Sequence, residues 1–201
     1  MIKNIVFDIG NVLVDFCWNE FLLAQGFSQK MTDRIARASI LTPAWGELDR
    51  GVWTEEELLQ AFCNADPDIS EEIRRAFATL TGIVRLRDYA CGWVKALKEA
   101  GYNVYYLSNY GDKTRRDTAK ELIFMELVDG GIMSYEVKLI KPDRAIYERL
   151  LDKYDLKAEE CVFLDDSPAN VAAARECGMS AIHFVSKEAA DAELADLGVT
   201  V

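Results

Sequence analysis

Three stretches of this 201-residue chain place polar chemistry directly after short apolar runs. In IVFDIGNVLVDF, Ile5-Val6-Phe7 ends on Asp8. Gly10 and Asn11 follow before the apolar pattern resumes and stops again at Asp15. VYYLSNYGD puts Ser108, Asn109 and Tyr110 at the end of a second run, and VFLDDSPAN puts Asp165 and Asp166 at the end of a third. A lysine, Lys141, precedes Pro142 in VKLIKPDRAIY. Carboxylates gathered from distant parts of a chain repel unless a cation joins them, and a few oxygen ligands beside a phosphate suit Mg²⁺. A lysine in the same crevice could neutralise a phosphoryl group. Each piece also has a plainer reading: Asp165-Asp166 as a polar strand exit, and Lys141-Pro142 as a solvated helix start.

Composition removes the main competitors. The only histidine, His183, sits in the apolar stretch AIHFV, which nearly excludes a His-based triad or a multi-histidine metal site. Cys17, Cys63, Cys91, Cys161 and Cys177 are odd in number, form no CxxC pair and read as reduced thiols. None is followed six positions later by Arg, and Walker A, GxGxxG and GxSxG patterns do not occur. A net charge of -11 argues against nucleic acid and anionic membranes as partners. No apolar stretch is long enough to span a bilayer. The N-terminus reads as mature cytoplasmic protein rather than a signal peptide.

The elements that must position these residues follow from periodicity. Ile2–Phe7, Asn103–Leu107, Cys161–Leu164 and Ser180–Val185 are short, apolar and rich in β-branched or aromatic residues, as buried parallel strands are. Helical patterns over Asp88–Ala100, Asp143–Tyr154, Pro168–Cys177 and Lys187–Leu197 separate or follow them. Ser186 and Ser167 read as N-caps, with Pro168 in the first helical position. Alternating strands and helices predict an α/β fold with a doubly wound parallel sheet. From about Phe16 to Gly82 no strand is expected, only helices at Asn19–Gln25, Thr32–Ala38, Glu55–Asn64 and Ser70–Thr79, with Thr54 opening a capping box and Ser70 an N-cap. Pro43, Gly46 and Gly51 in LTPAWGELDRGVWTEE predict a loop or bend. The division is therefore a core of residues 1–15 and 83–201 with a helical insert at 16–82. Ligands of open parallel sheets bind beyond the carboxyl ends of the strands. Asp8, Ser108, Asn109, Asp165 and Asp166 would then share one crevice. Side chains alternate along a strand, so at most one of the two aspartates need point into it.

The order FDIGNV, LSN, Lys141-Pro142 and FLDDSPAN resembles the haloacid dehalogenase-like hydrolases, over almost the whole chain. The insert is similar to the helical cap of that family's cap-bearing subgroup on a Rossmann-like core. The resemblance implies that Asp8 is a nucleophile that takes a phosphoryl group as an aspartyl-phosphate. It makes Asp8, the Gly10 carbonyl and Asp166 the Mg²⁺ ligands, with Asp165 in support. It gives Ser108 and the backbone around Asn109 the phosphoryl oxygens, and Lys141 the charge that develops on them. Asp165-Asp166 favours a Mg²⁺-dependent phosphatase over a dehalogenase.

The departure from the pattern is Gly10, where phosphatases of the family carry a second Asp that protonates the leaving group and then activates water. Such a group contributes about 10²–10⁴-fold. Asp15, Asn11, Glu47 and Asp49 are candidates to replace it; otherwise the leaving group departs with less help, or the protein binds phosphate without turnover. A branch of the family with FDxGNV at this site includes sugar-1-phosphate phosphatases. The expected activity is therefore phosphatase action on a small phosphorylated metabolite, a sugar phosphate preferred, by a monomer or weak dimer. The alternative is a non-catalytic phosphometabolite-binding protein; a mutase is disfavoured by the same glycine. Trp45 and Trp53 could stack on a sugar, though each taken singly is more readily cap core. Trp18, Phe21 and Phe62 are assigned to that core, and Tyr110 to the crevice wall.

Overall fold

A computed structural model describes residues 1–200 of the chain. Its strands are β1 (Asn4–Phe7), β2 (Val14–Phe16), β3 (Val84–Leu86), β4 (Asn103–Ser108), β5 (Gly130–Met133), β6 (Cys161–Asp165) and β7 (Ser180–His183). Five of them form a parallel sheet in the order β5-β4-β1-β6-β7. The α/β fold expected from the sequence is thus present, with β1 at the centre. Phe7 lies in register with Tyr106 on one side and Leu164 on the other, so the next residues of all three chains emerge at one edge.

Period-two alternation divides the sheet's side chains between two apolar layers. Ile5, Phe7, Val104, Tyr106, Val162 and Leu164 face one layer. It is completed by Trp93, Val94 and Leu97 of the helix Ala90–Glu99 and by Ala190 and Leu194 of the helix Lys187–Asp196. Val6, Tyr105, Leu107, Phe163 and Ala181 face the other, against Ile146, Tyr147 and Leu150 of the helix Arg144–Tyr154 and Val171 and Ala174 of the helix Pro168–Glu176. The helices run α1 (Trp18–Ala24), α2 (Gln29–Ala38), α3 (Pro43–Arg50), α4 (Glu55–Ala65), α5 (Ser70–Ala76) and α6 (Ala90–Glu99). They continue as α7 (Asp112–Asp117), α8 (Ser134–Val137), α9 (Arg144–Tyr154), α10 (Pro168–Glu176) and α11 (Lys187–Asp196). No helix among the described residues is long and apolar enough to cross a membrane.

Four local expectations are corrected. Strand β5 reads GGIM and carries too little β propensity to be seen; a Cβ at Gly131 would overlap the Tyr106 ring and carbonyl, so the close approach of β4 requires the glycine. β2 and β3 form a two-stranded antiparallel ribbon that flanks the helical segment. Ser70 is the first residue of α5, and its hydroxyl donates to the Pro67 carbonyl instead of capping. The stretch at Pro43 is a helix, not a loop. Pro43 occupies its first turn, where its missing N–H costs nothing, and Gly51 caps it in the left-handed region at φ 67°. The capping box at Thr54 and the N-cap at Ser186 are present.

In the segment between β2 and β3, the Trp45 ring stacks on Phe62 at 6.4 Å and approaches Phe77 and Phe16. Phe21 and Phe62 are buried there, and Trp18 packs against them. Gly51 fixes where α3 ends. A Cβ there would sit 2.9 Å from Tyr135 Cβ and 3.1 Å from its Cα, on top of the left-handed backbone. Gly51→Ala is therefore expected to cost about 1–2 kcal/mol or more in urea unfolding. Gly46→Ala, inside α3 with nothing within 4 Å of the new Cβ, should stabilise by up to about 1 kcal/mol. Changes of the same sign at both positions would refute this account of α3.

Candidate active site

Asp8 leaves β1 at the sheet edge and is buried there. Its Oδ1 accepts from the Ile9 N–H at 2.7 Å and the Ser108 hydroxyl at 2.7 Å, and contacts Lys141 Nζ at 2.8 Å. Lys141 Nζ also donates to Asp165 Oδ2 at 2.6 Å. The lysine side chain is 1% exposed, so it is the link between two strand ends and not a solvated helix start. Pro142 does not open the helix either. It follows a cis peptide bond, and α9 begins two residues later with Asp143 as its cap, accepting from Ala145 N–H.

Asn109 fixes the lysine's backbone. Its amide donates to the Lys141 carbonyl at 3.0 Å and accepts from the Lys141 N–H at 2.8 Å. Both ends of that side chain are thereby engaged, which leaves only the Asn109 backbone for a substrate. Asp165 is equally committed. Besides Lys141 it accepts from the Ser167 N–H at 2.8 Å and from Asn170 Nδ2 at 3.0 and 3.1 Å. The capping bond expected of the Ser167 hydroxyl is not made. Asp166 is partly exposed and accepts from Asn11 Nδ2 at 2.9 Å.

Burial raises the Asp8 carboxyl to about 6, with Lys141 pulling it down and Asp165 pushing it up. Burial alone would lower Lys141, but the charges of Asp8 and Asp165 outweigh it and hold the ammonium above its usual range.

Beyond Asp8 lies a cleft of about 200 Å³, small beside the roughly 300–1,000 Å³ of drug-sized sites. Gly10, Asn11 and Asp166 wall one side, and Asn109, Tyr110 and Thr114 another. Phe16, Val84, Trp45 and Asp49 close it from the ribbon and α3. Tyr110 contributes its ring, since its hydroxyl pairs with Thr118 Oγ1 at 2.8 Å. Trp45 both packs on Phe62 and lines the cleft. Trp53 lies elsewhere, beside Gly51 and Lys138.

Of the candidates to replace an acid at position 10, Asp15 is held by Arg87 at 2.9 Å and Arg85 at 3.3 Å on the ribbon, and Glu47 pairs with Arg50 at 3.4 Å. Neither lines the cleft. Asn11 does, but both ends of its amide are bonded, to Asp166 and to the Phe16 N–H. Asp49 lines the cleft, and burial, helped by the Asp8 charge, pushes its carboxyl up to about 7. Sequence reasoning passed over Thr114, Val84 and Asn170. Asn170 alone left a signal, an amide five residues after Asp165 in the first turn of α10.

The oxygens present fit Mg²⁺. Asp8, Asp165 and Asp166 each offer a carboxylate oxygen, all within 4.8 Å of one another, and a hard, all-oxygen donor set is what that ion takes. Asp165 is the least available, because Lys141, Asn170 and the Ser167 N–H already use its oxygens. Gly10 lies in the same wall.

A family model of haloacid dehalogenase-like hydrolases matches residues 2–178. A sesquiterpene phosphatase of Aspergillus oryzae is 29% identical over 195 residues, covering 97% of this chain and 96% of that protein. A drimenol cyclase of Aspergillus calidoustus is 26% identical over 200 residues, 98% of this chain but 37% of that protein. Among solved structures, a HAD-family enzyme of Bacteroides thetaiotaomicron in complex with magnesium and inorganic phosphate aligns with a TM-score of 0.69. Its sequence is 21% identical, and the alignment covers 93% of this chain and 96% of that one.

The Lys141 bridge carries a stability consequence that is independent of any ligand. Removing one partner of a buried ion pair strands the other charge, at a cost of about 3–5 kcal/mol. Lys141→Met strands Asp8 and Asp165 together. Urea unfolding at neutral pH should register a loss of that size, and a loss below about 1 kcal/mol, the range of surface pairs, would show that the bridge is not formed in solution.

Proposed function

The chain belongs to the haloacid dehalogenase-like hydrolase family, and from that premise we propose that it is a Mg²⁺-dependent phosphatase acting on a small phosphorylated metabolite. One observation supports this above others. Asp8 gathers its Ile9, Ser108 and Lys141 contacts on Oδ1 and leaves Oδ2 without a protein partner, in the wall of the cleft. A carboxylate oxygen so placed is a nucleophile with its orientation already fixed. Asp8 Oδ2 attacks phosphorus, the ester oxygen leaves with the bonding electrons, and water later cleaves the aspartyl-phosphate. The Asn109 backbone holds the phosphoryl oxygens, joined by the Ser108 hydroxyl once it turns to them from Asp8 Oδ1, and Lys141 balances charge on them. Held by Asp8, Asp166 and the Gly10 carbonyl, Mg²⁺ would supply further neutralisation of the phosphoryl group. Residues 16–82 serve as a cap over a core of residues 1–15 and 83–201.

A sugar phosphate fits the wall best. Thr114 and Asn109 backbone groups offer hydrogen bonds, and Trp45 and Phe16 offer flat apolar faces. A second reading, the phosphate of an apolar alcohol, is supported by the resemblance to a sesquiterpene phosphatase and by an apolar hollow behind Trp45 walled by Leu58, Leu59, Phe62 and Phe77. That hollow holds about 20 Å³, room for about one water-sized group. A terpenoid chain would therefore need Trp45 to move, and the sugar is preferred.

With Mg²⁺ present, the protein should release phosphate from 4-nitrophenyl phosphate and from sugar monophosphates, and should lose this activity with EDTA or in Asp8→Asn. No Lys or Arg lines the cleft among the described residues. Substrates with a second anionic group, such as sugar bisphosphates and nucleotides, should have kcat/KM at least about tenfold lower, since an unpaired like charge costs several kcal/mol. Equal, slow release by wild type and Asp8→Asn across such a panel would leave the non-catalytic reading, which Gly10 favours.

A further inference from the structure

The reaction above needs a proton for the leaving oxygen, and the position two residues after Asp8 cannot give one. A Cβ built on Gly10 meets nothing within 4 Å, so the glycine is not there because space is short. Three carboxylates line the cleft: Asp8, Asp49 and Asp166. Asp8 and Asp166 belong to the carboxylate cluster at the sheet edge. Asp49 does not, and it reaches the cleft from the opposite side, on α3.

We propose that Asp49 is the general acid and base of this site, standing in for the absent carboxylate at position 10. The inference rests on the phosphatase reading. In the first step Asp8 Oδ2 forms a bond to phosphorus while the bond from phosphorus to the ester oxygen breaks. That oxygen takes the electron pair and the Asp49 proton and leaves as an alcohol. In the second step the Asp49 carboxylate takes a proton from water as its oxygen bonds to phosphorus. The bond to Asp8 breaks, phosphate leaves, and both carboxyl groups return to their starting states.

The surroundings of Asp49 suit that role. It makes no ion pair among the described residues. Asp8 faces it across the cleft, the charge of Lys141 acts on it from behind Asp8, and its own charge is felt by Tyr110. Charged groups on the elements packed around α3 are engaged elsewhere. Glu55 of α4 pairs with Arg116, Glu136 of α8 accepts from the Met133 N–H, and Lys138 donates to the Gly51 carbonyl. A carboxyl near 7 is half protonated at neutral pH, as a group that must both give and take a proton should be. Its backbone is fixed by the Ser134 hydroxyl, which donates to the Asp49 carbonyl at 2.5 Å, and by Lys138 one turn-end further on. Acid and nucleophile thus come from different segments, Asp49 from the helical insert and Asp8 from the sheet.

The test is the leaving group. Asp49→Asn should lower kcat/KM for alkyl and sugar phosphates by about 10²–10⁴-fold, and much less for 4-nitrophenyl phosphate, whose leaving oxygen needs no proton. With the aryl ester the variant should show a burst of one 4-nitrophenol per enzyme and should accumulate the phosphorylated chain by intact mass, because water is no longer activated. Asp49→Glu should restore part of the alkyl rate, and Gly10→Asp in the Asp49→Asn background should restore it too. In wild type the alkyl-ester kcat/KM should fall as pH rises through about 7, and that limb should vanish in Asp49→Asn. Equal losses for aryl and alkyl esters without phosphoenzyme, or no loss for either, would overturn the role of Asp49. If wild type itself shows no Asp8-dependent turnover, the phosphatase reading has failed instead.

Discussion

The structure turns on one buried lysine. Lys141 ties the end of β1 to the end of β6 through Asp8 and Asp165. Two carboxylates and one ammonium leave a net negative charge in a place that water hardly reaches. Such a group of charges is a poor device for stability, since well-packed apolar residues would do as well or better. Its value is positional. It holds one oxygen of Asp8 in place and leaves the other unbonded. The residual negative charge, with Asp166 added, is what makes a divalent cation a natural occupant.

The rest of the fold can be read as support for that arrangement. Parallel register puts Asp8, Ser108 and Asp165 at the same edge, and a slip of one residue would turn each to the other face. Asn109 clamps the lysine's backbone from β4, and Asn170 and the Ser167 N–H hold Asp165 from the start of α10. Strand β5 acts at longer range. It leads directly into α8, and α8 holds the end of α3 through Ser134 and Lys138. The outermost strand of that side therefore positions the far wall of the cleft.

The sequence showed the sheet edge more clearly than what surrounds it. β1, β4 and β6 are buried on both faces, so their apolar runs are continuous and the polar residue that ends each one stands out. The motif order did the rest. Strand β5 was hidden because Gly130 and Gly131 answer to tyrosines packed against them, Tyr154 and Tyr106, a tertiary demand that strand propensity does not see. Helix α3 was hidden because Pro43 and Gly51 are punctuation at its two ends, and were read as breaks within it. The clamp by Asn109 could not be seen either, since it joins residues 32 positions apart. Asp15 and Asp49 looked alike in the sequence. Only the fold gives one to two arginines and aims the other at the cleft.

That last difference bears on how one cleft runs acid and base chemistry together. In the proposed reaction nucleophile and acid are both aspartates, and the charge of Asp8 helps to raise the Asp49 carboxyl. They must still differ, because Asp8 has to be ionised while Asp49 keeps its proton. Their donors separate them. Asp8 has the Ile9 N–H, the Ser108 hydroxyl and Lys141 on one oxygen, all favouring the anion. Asp49 has only the more distant pull of Lys141 and the Gly111 backbone against its burial. The donors therefore favour the anion at Asp8 and leave burial to favour the acid at Asp49. Pairs of groups whose environments push them apart in this way define the acid and base of a site. A second Asp at position 10 would sit beside Asp8 and add to an already negative cluster. Carried on α3 instead, the acid stays outside that cluster and depends on the helical segment for its place in the cleft.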